Sequence, residues 1–168
     1  MYWKGRNAVF CANCIVINIF VAYYRSADSN KEQKKHIINS FKVFADLTDV
    51  ELWTSMWAVT EMVKVLILSI KMDPSRVSEI EKDLLNESRL EGIKIHFAEV
   101  SPVRNYDFKE FFYHIRKGIL QYDSGVGDVM HSIVMKNNGI EQILTFDEKD
   151  DFKKIPGFTV LHPKDIKL

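Results

Sequence analysis

No aspartate occurs in the first 27 positions of this 168-residue chain, and cysteine is scarce, with two residues in all. Two cysteines, with no secretory signal of the usual shape, argue against a disulfide framework and for a reduced, cytoplasmic setting. Cys11-Ala12-Asn13-Cys14 is formally a C-x-x-C, the spacing of a redox pair or of half a zinc site. No second pair completes it, and its apolar surroundings favour a buried structural role. Net charge is also lacking: Lys plus Arg and Asp plus Glu each number 23. A strongly basic surface is therefore not visible in the total, and any nucleic-acid surface has to be local. The chain has neither a glycine-rich phosphate loop of the Walker type nor a G-x-S-x-G elbow, which argues against P-loop nucleotide hydrolysis and serine hydrolysis. Residues 8–24 are nearly all apolar between Arg6 and Arg25. Interrupted by Asn13 and Asn18, this run falls short of the roughly 20 residues that span a bilayer. It reads as a buried strand entering a helix, with no membrane role.

What is present suffices for a globular body. Hydrophobic residues make up 46% of the chain, and no repeat or low-complexity linker divides it, so one domain over 1–168 is expected. Residues 9–18 are rich in β-branched side chains and read as a central strand, with a short helix over 19–24. A turn at 26–30 caps a helix whose apolar face is Ile37, Ile38, Phe41, Phe44 and Ala45. Its Lys31, Lys34, Lys35, His36 and Lys42 read as a solvated basic face.

A strand over 49–53 leads into a helix over 56–70, capped by Thr54 or Ser55 and apolar on most sides. Asp73-Pro74-Ser75 opens the next helix, packed through Val77, Ile80, Leu84 and Leu85. Residues 93–100 read as a strand, in which His96 is a strand residue with a structural hydrogen bond. Asp107 and Glu110 form a capping pair for a helix burying Phe108, Phe111, Phe112, Ile115 and Ile119, with His114, Arg116 and Lys117 on its solvated side. Residues 140–146 and 158–161 are the last strands. Alternating strands and helices predict a three-layer α/β/α sandwich around a mainly parallel sheet.

Carboxylates mark the candidate site. Glu61 stands in the middle of an apolar helix, where a charge is costly unless it is paired, hydrogen-bonded or bound to metal. Lys64, one turn on, is a candidate partner. Asp128 lies in the first turn of a helix opened by Ser124-Gly125-Val126-Gly127. It shares a face with His131, opposite Val129, Met130, Ile133 and Val134. Asp147 stands at the carboxyl end of the 140–146 strand, where open α/β sheets bind ligands, and Glu148, Asp150 and Asp151 follow it. The plain alternative is a solvated acidic loop, with Asp128 as an ordinary first-turn acid. Gathered together, oxygen ligands of this kind select hard cations such as Mg²⁺ or Mn²⁺, which support phosphodiester hydrolysis.

In their order and spacing these residues resemble the PIN-domain nucleases, including toxins of bacterial and archaeal toxin and antitoxin pairs. The resemblance runs through Leu52-Trp53-Thr54-Ser55 with Glu61, Gly127-Asp128 with His131, and Ile143-Leu144-Thr145-Phe146-Asp147 with Asp151-Phe152 and Pro156-Gly157. It implies a parallel-sheet α/β/α fold, clustered acids holding Mg²⁺ or Mn²⁺, and endoribonuclease activity. By this resemblance Glu61, Asp128 and Asp147 bind the ion, Asp151 assists and Asn18 orients the site. The chain departs from the family at its front, where the first strand usually ends in Asp-x-Asn. Val16-Ile17-Asn18 puts Val16 in the place of Asp, and Cys11-Ala12-Asn13 is a second register, so activity is expected to be weakened or lost. Three readings follow: a PIN-type ribonuclease, a degenerate PIN-like module binding RNA or a protein partner, and a redox or scaffold protein built on Cys11 and Cys14. The resemblance also implies an antitoxin-like partner and a homodimer, for which Tyr2 and Trp3 are interface candidates.

Overall fold

The computed structural model describes residues 11–15, 17–25, 31–47, 50–98, 108–146 and 151–166. Tyr2, Trp3, Val16, the 26–30 turn, Asp49, Asp107, Asp147, Glu148 and Asp150 lie outside these, as do the side chains of Cys11, Asn13, Cys14, Phe108 and Asp151. In chain order the elements are β1 (Cys11–Ile15), α1 (Ile17–Tyr24), α2 (Lys31–Ala45), β2 (Val50–Ser55), α3 (Met56–Leu68) and α4 (Pro74–Glu87). There follow β3 (Arg89–Leu90), β4 (Ile93–Ala98), α5 (Phe108–Tyr122), α6 (Val126–Asn137), β5 (Gln142–Leu144), α7 (Asp151–Lys154) and β6 (Thr159–Leu161). A 3-10 turn, Pro163–Asp165, comes last.

The strands lie in the order β3-β4-β2-β1-β5-β6. Every pairing is parallel except β3 with β4, which are antiparallel. The period-2 alternation of strand side chains separates the two faces. Leu52, Ile95 and Leu144 join a core with α1 to α4, built on Ile19, Phe20, Ile37, Phe41, Met62 and Leu66. Their neighbours Trp53 and Ile143 belong to the opposite face, with Val134, Met135 and Phe152 of α6 and α7. Sheet and helices therefore form the expected three-layer α/β/α sandwich.

Several boundaries differ from the sequence expectation. Asn18 is not a strand residue: β1 ends at Ile15, and Asn18 sits in the first turn of α1. The 8–24 run divides into β1 and α1, and no helix among the described residues is long and apolar enough to cross a membrane. Cys11 and Cys14 lie on one strand, each in register with β2. Three residues of extended chain put their Cα atoms roughly 10 Å apart, too far for a disulfide. That removes the redox pair.

α3 is less enclosed than its composition suggests. It buries Ala58, Val59, Met62 and Leu66, while Met56 and Leu68 are exposed. Ala45 of α2 is exposed too, because Ile37, Phe41 and Phe44 already define the buried stripe. On α5, Phe111 and Ile115 are buried but Phe112 is 52% exposed. One residue turns a helix by about 100°, so Phe112 cannot share the stripe of Phe111, Ile115 and Gly118. At Gly118 a Cβ would stand 2.6 Å from Val129 Cγ1, so the missing side chain lets α5 and α6 approach closely. His96 stacks on Trp53, with ring centroids 4.9 Å apart.

Candidate functional site

The chain leaves β1 to build β2 and β4 on one side, then returns to add β5 on the other. Between β1 and β5 the direction of winding changes, and the carboxyl edge at such a switch point is where open sheets of this kind bind ligands. Two helices reach that edge. α3 begins where parallel β2 ends, with Ser55 as its cap: the Ser55 side chain accepts the Ala58 N–H at 3.2 Å. Glu61 follows in the second turn. α6 precedes β5 and runs back against it, so its N-terminal turn, carrying Gly125, Gly127 and Asp128, faces the same edge.

There Glu61 meets α6. Its Oε2 lies 3.0 Å from His131 Nε2, and its Oε1 would be 2.9 Å from a Cβ built on Gly127. Only glycine at 127 leaves room for the carboxylate in this pose. The side chain of Glu61 is 25% exposed and that of His131 is 2% exposed. Burial strengthens the hydrogen bond, and the positive end of α6 favours the nearby carboxylates. Asp128 is half-buried in that first turn, with Oδ2 3.1 Å from a Cβ built on Gly125. Among the described residues Glu61 pairs with no lysine: Lys64 is exposed, and the expected partner role falls to His131 from a different element. Among the described residues, His131 Nδ1 and Nε1 of Trp57, one turn before Glu61 on α3, are buried without a hydrogen-bond partner.

Asn18 closes the gap between the two halves of the sheet. Its Nδ2 donates to Thr145 Oγ1 at 2.6 Å, and its Oδ1 accepts the Phe146 N–H at 3.1 Å. Thr145 is buried, and its own N–H bonds Leu161 O at 3.0 Å. Asn18 thus fixes the backbone that leads directly into Asp147. Of the two N-terminal registers, only this asparagine reaches the edge, since Asn13 lies within β1 with Leu52 and Gln142 as its neighbours. Sequence reasoning missed Thr145, and it placed His131 beside Asp128 without its bond to Glu61. The i, i+3 spacing of Asp128 and His131 was the available signal.

The structure thus brings Glu61, His131 and the Gly127-Asp128 turn together, and Asn18 to the threshold of Asp147. The donors fit a hard cation in kind, being carboxylate oxygens at a helix N-terminus. Among the described residues no group of three His, Cys, Asp or Glu gathers closely enough to hold an ion.

The strand order and the layers define a PIN-like fold. Three solved structures are similar over most of their length. Mycobacterium tuberculosis VapC20, a sarcin–ricin loop cleaving toxin, aligns with TM-score 0.56 at 13% identity, covering 88% of this chain and 96% of its own. VapBC-1 from nontypeable Haemophilus influenzae gives 0.56 and 14%, covering 90% and 98%. VapBC2 from Rickettsia felis, bound to a DNA fragment from its promoter, gives 0.55 and 15%, covering 90% and 98%. No protein-family model matches the sequence, and no curated protein sequence does. At these identities the likeness establishes the fold.

Proposed function

We propose that this chain is a cytoplasmic, metal-dependent endoribonuclease of PIN type, a toxin-like component of reduced activity. Glu61, Asp128 and Asp147 hold Mg²⁺ or Mn²⁺, with Asp151 assisting. The observation that carries this reading is the meeting of Glu61 with the Gly127-Asp128 turn at the carboxyl edge beside the β1–β5 switch point. Such an ion supplies water activation and offsets charge on a phosphodiester. Asn18 orients the site by holding Thr145 and Phe146, the two residues that precede Asp147 in the sequence. The position that would carry the family's first acid is Val16, which removes one charge from the ligand set and lowers the expected rate. RNA is the proposed substrate, and an antitoxin-like protein and a second copy of the chain are the proposed partners.

Cleavage of mixed RNA by the full chain in Mg²⁺ or Mn²⁺ tests the proposal. Asp128→Asn is expected to abolish cleavage, and so is chelation of the ion. Undiminished cleavage by Asp128→Asn would remove this reading.

A second reading has its own support. Glu61 is already satisfied by His131, which is how a carboxylate persists in a core after its ion is lost. On that reading the chain is a catalytically degenerate PIN-like module that binds RNA or a protein partner. It predicts binding without metal-dependent cleavage.

A further inference from the structure

His131 is buried to 2% exposure on α6, a helix that also buries Val129, Ser132, Val134 and Met135. An imidazole there forgoes water at both nitrogens. Nδ1 is buried without a partner among the described residues. Among the described residues the ring makes one hydrogen bond, from Nε2 to Glu61 Oε2 at 3.0 Å. A buried unpaired polar atom is unfavourable, so packing alone would favour an apolar side chain at this position.

The ring also stands where three elements meet. It is one helical turn from Asp128 on α6, bonded to Glu61 of α3, and packed against Phe152 of α7, with ring centroids 6.4 Å apart. Phe152 directly follows Asp151. With Oε2 held by the imidazole and Oε1 against Gly127, the carboxylate of Glu61 has one orientation.

We infer that His131 is a positioning residue: its Nε2–H holds Glu61 Oε2, so that Oε1 alone faces the ion site. The inference rests on the reading that Glu61 is a ligand, and it assigns His131 no contact with ion or RNA. Partners that orient a metal ligand typically contribute about 10–100-fold to metal affinity.

Calorimetric titration of the full chain with Mn²⁺ tests this, with His131→Leu and His131→Gln beside the unaltered protein. His131→Leu is expected to weaken binding about 10–100-fold. His131→Gln, whose side-chain amide can donate in place of Nε2–H, is expected to restore most of the loss. Equal affinity in His131→Leu and the unaltered protein would overturn the inference, as would a glutamine variant no better than leucine.

Failure of the unaltered protein to bind Mn²⁺ would instead count against the functional reading, and the metal-free protein then decides the matter. Urea unfolding of Glu61→Ala, His131→Leu and the double variant is expected to be non-additive by roughly fivefold or more in the unfolding constant. Additive effects would show that the two side chains do not hold each other, and would overturn the inference whatever the ion does.

Discussion

Glycine at position 127 is what lets the Glu61 carboxylate reach the first turn of α6. A methyl group there would stand 2.9 Å from Oε1, and Glu61 cannot swing aside freely because Oε2 is held by His131. Alanine is the better helix former by about 1 kcal/mol, so Gly127→Ala is expected to leave thermal stability nearly unchanged. Its effect belongs to the site: Mn²⁺ affinity is expected to fall about tenfold or more, read by calorimetry. An alanine variant binding as tightly as the parent would separate Gly127 from the site. At this scale the chemistry of single residues was legible in the sequence. A carboxylate in an apolar helix demands a partner, and Glu61 has one. Which partner was not legible, because His131 lies 70 positions away and Lys64 one turn away seemed sufficient.

The elements that position these residues owe their ends to caps and side-chain clamps. Ser55 starts α3, and through it sets the height of Glu61 above the sheet. Removing the hydroxyl in Ser55→Ala takes away the acceptor for the Ala58 N–H. The expected loss is about 1 kcal/mol, seen as a melting temperature lowered by about 2–4 °C. An unchanged melting temperature would mean that α3 is held by packing alone. Ser55 and the Asp73-Pro74 start of α4 were readable from sequence, since capping is local chemistry. The end of β1 was not. The β-branched run gives no reason to stop at Ile15, and the two hydrogen bonds that hold the Asn18 side chain go to Thr145 and Phe146, distant in the chain. β3 and α7 escaped notice because two and four residues carry no measurable period.

For the molecule as a whole, alternation of strands with helices was enough to read a parallel three-layer sandwich. The strand order was not readable, because period and propensity say nothing about which strand lies beside which. That order makes the site, since it sets β5 against β1 at the switch point. α1 is tied to the β3–β4 turn as well, where Tyr23 donates to Glu91, and Lys34 of the neighbouring α2 lies 4.8 Å from the Tyr23 ring centroid. Burial, and then the nearby Asp83 charge, push the Tyr24 hydroxyl from its usual 10.0 up to about 12. A raised phenol favours the folded state below the unfolded value, and that contribution is lost as pH rises from 10 through about 12. Stability measured by urea unfolding is therefore expected to fall across that window, and less steeply in Tyr24→Phe. Identical slopes in the two proteins would assign the alkaline loss to other groups.

The central claim is that the carboxylates gathered at the carboxyl edge hold a divalent ion without an acid at the end of β1. Calorimetric titration of Mn²⁺ into the unaltered chain and into Asp128→Asn, with RNA cleavage assayed on the same samples, tests it most directly. The account predicts binding and cleavage that are both lost with Asp128. Absence of binding and cleavage in the unaltered protein would contradict it, and would leave a PIN-like fold whose task is to bind a partner.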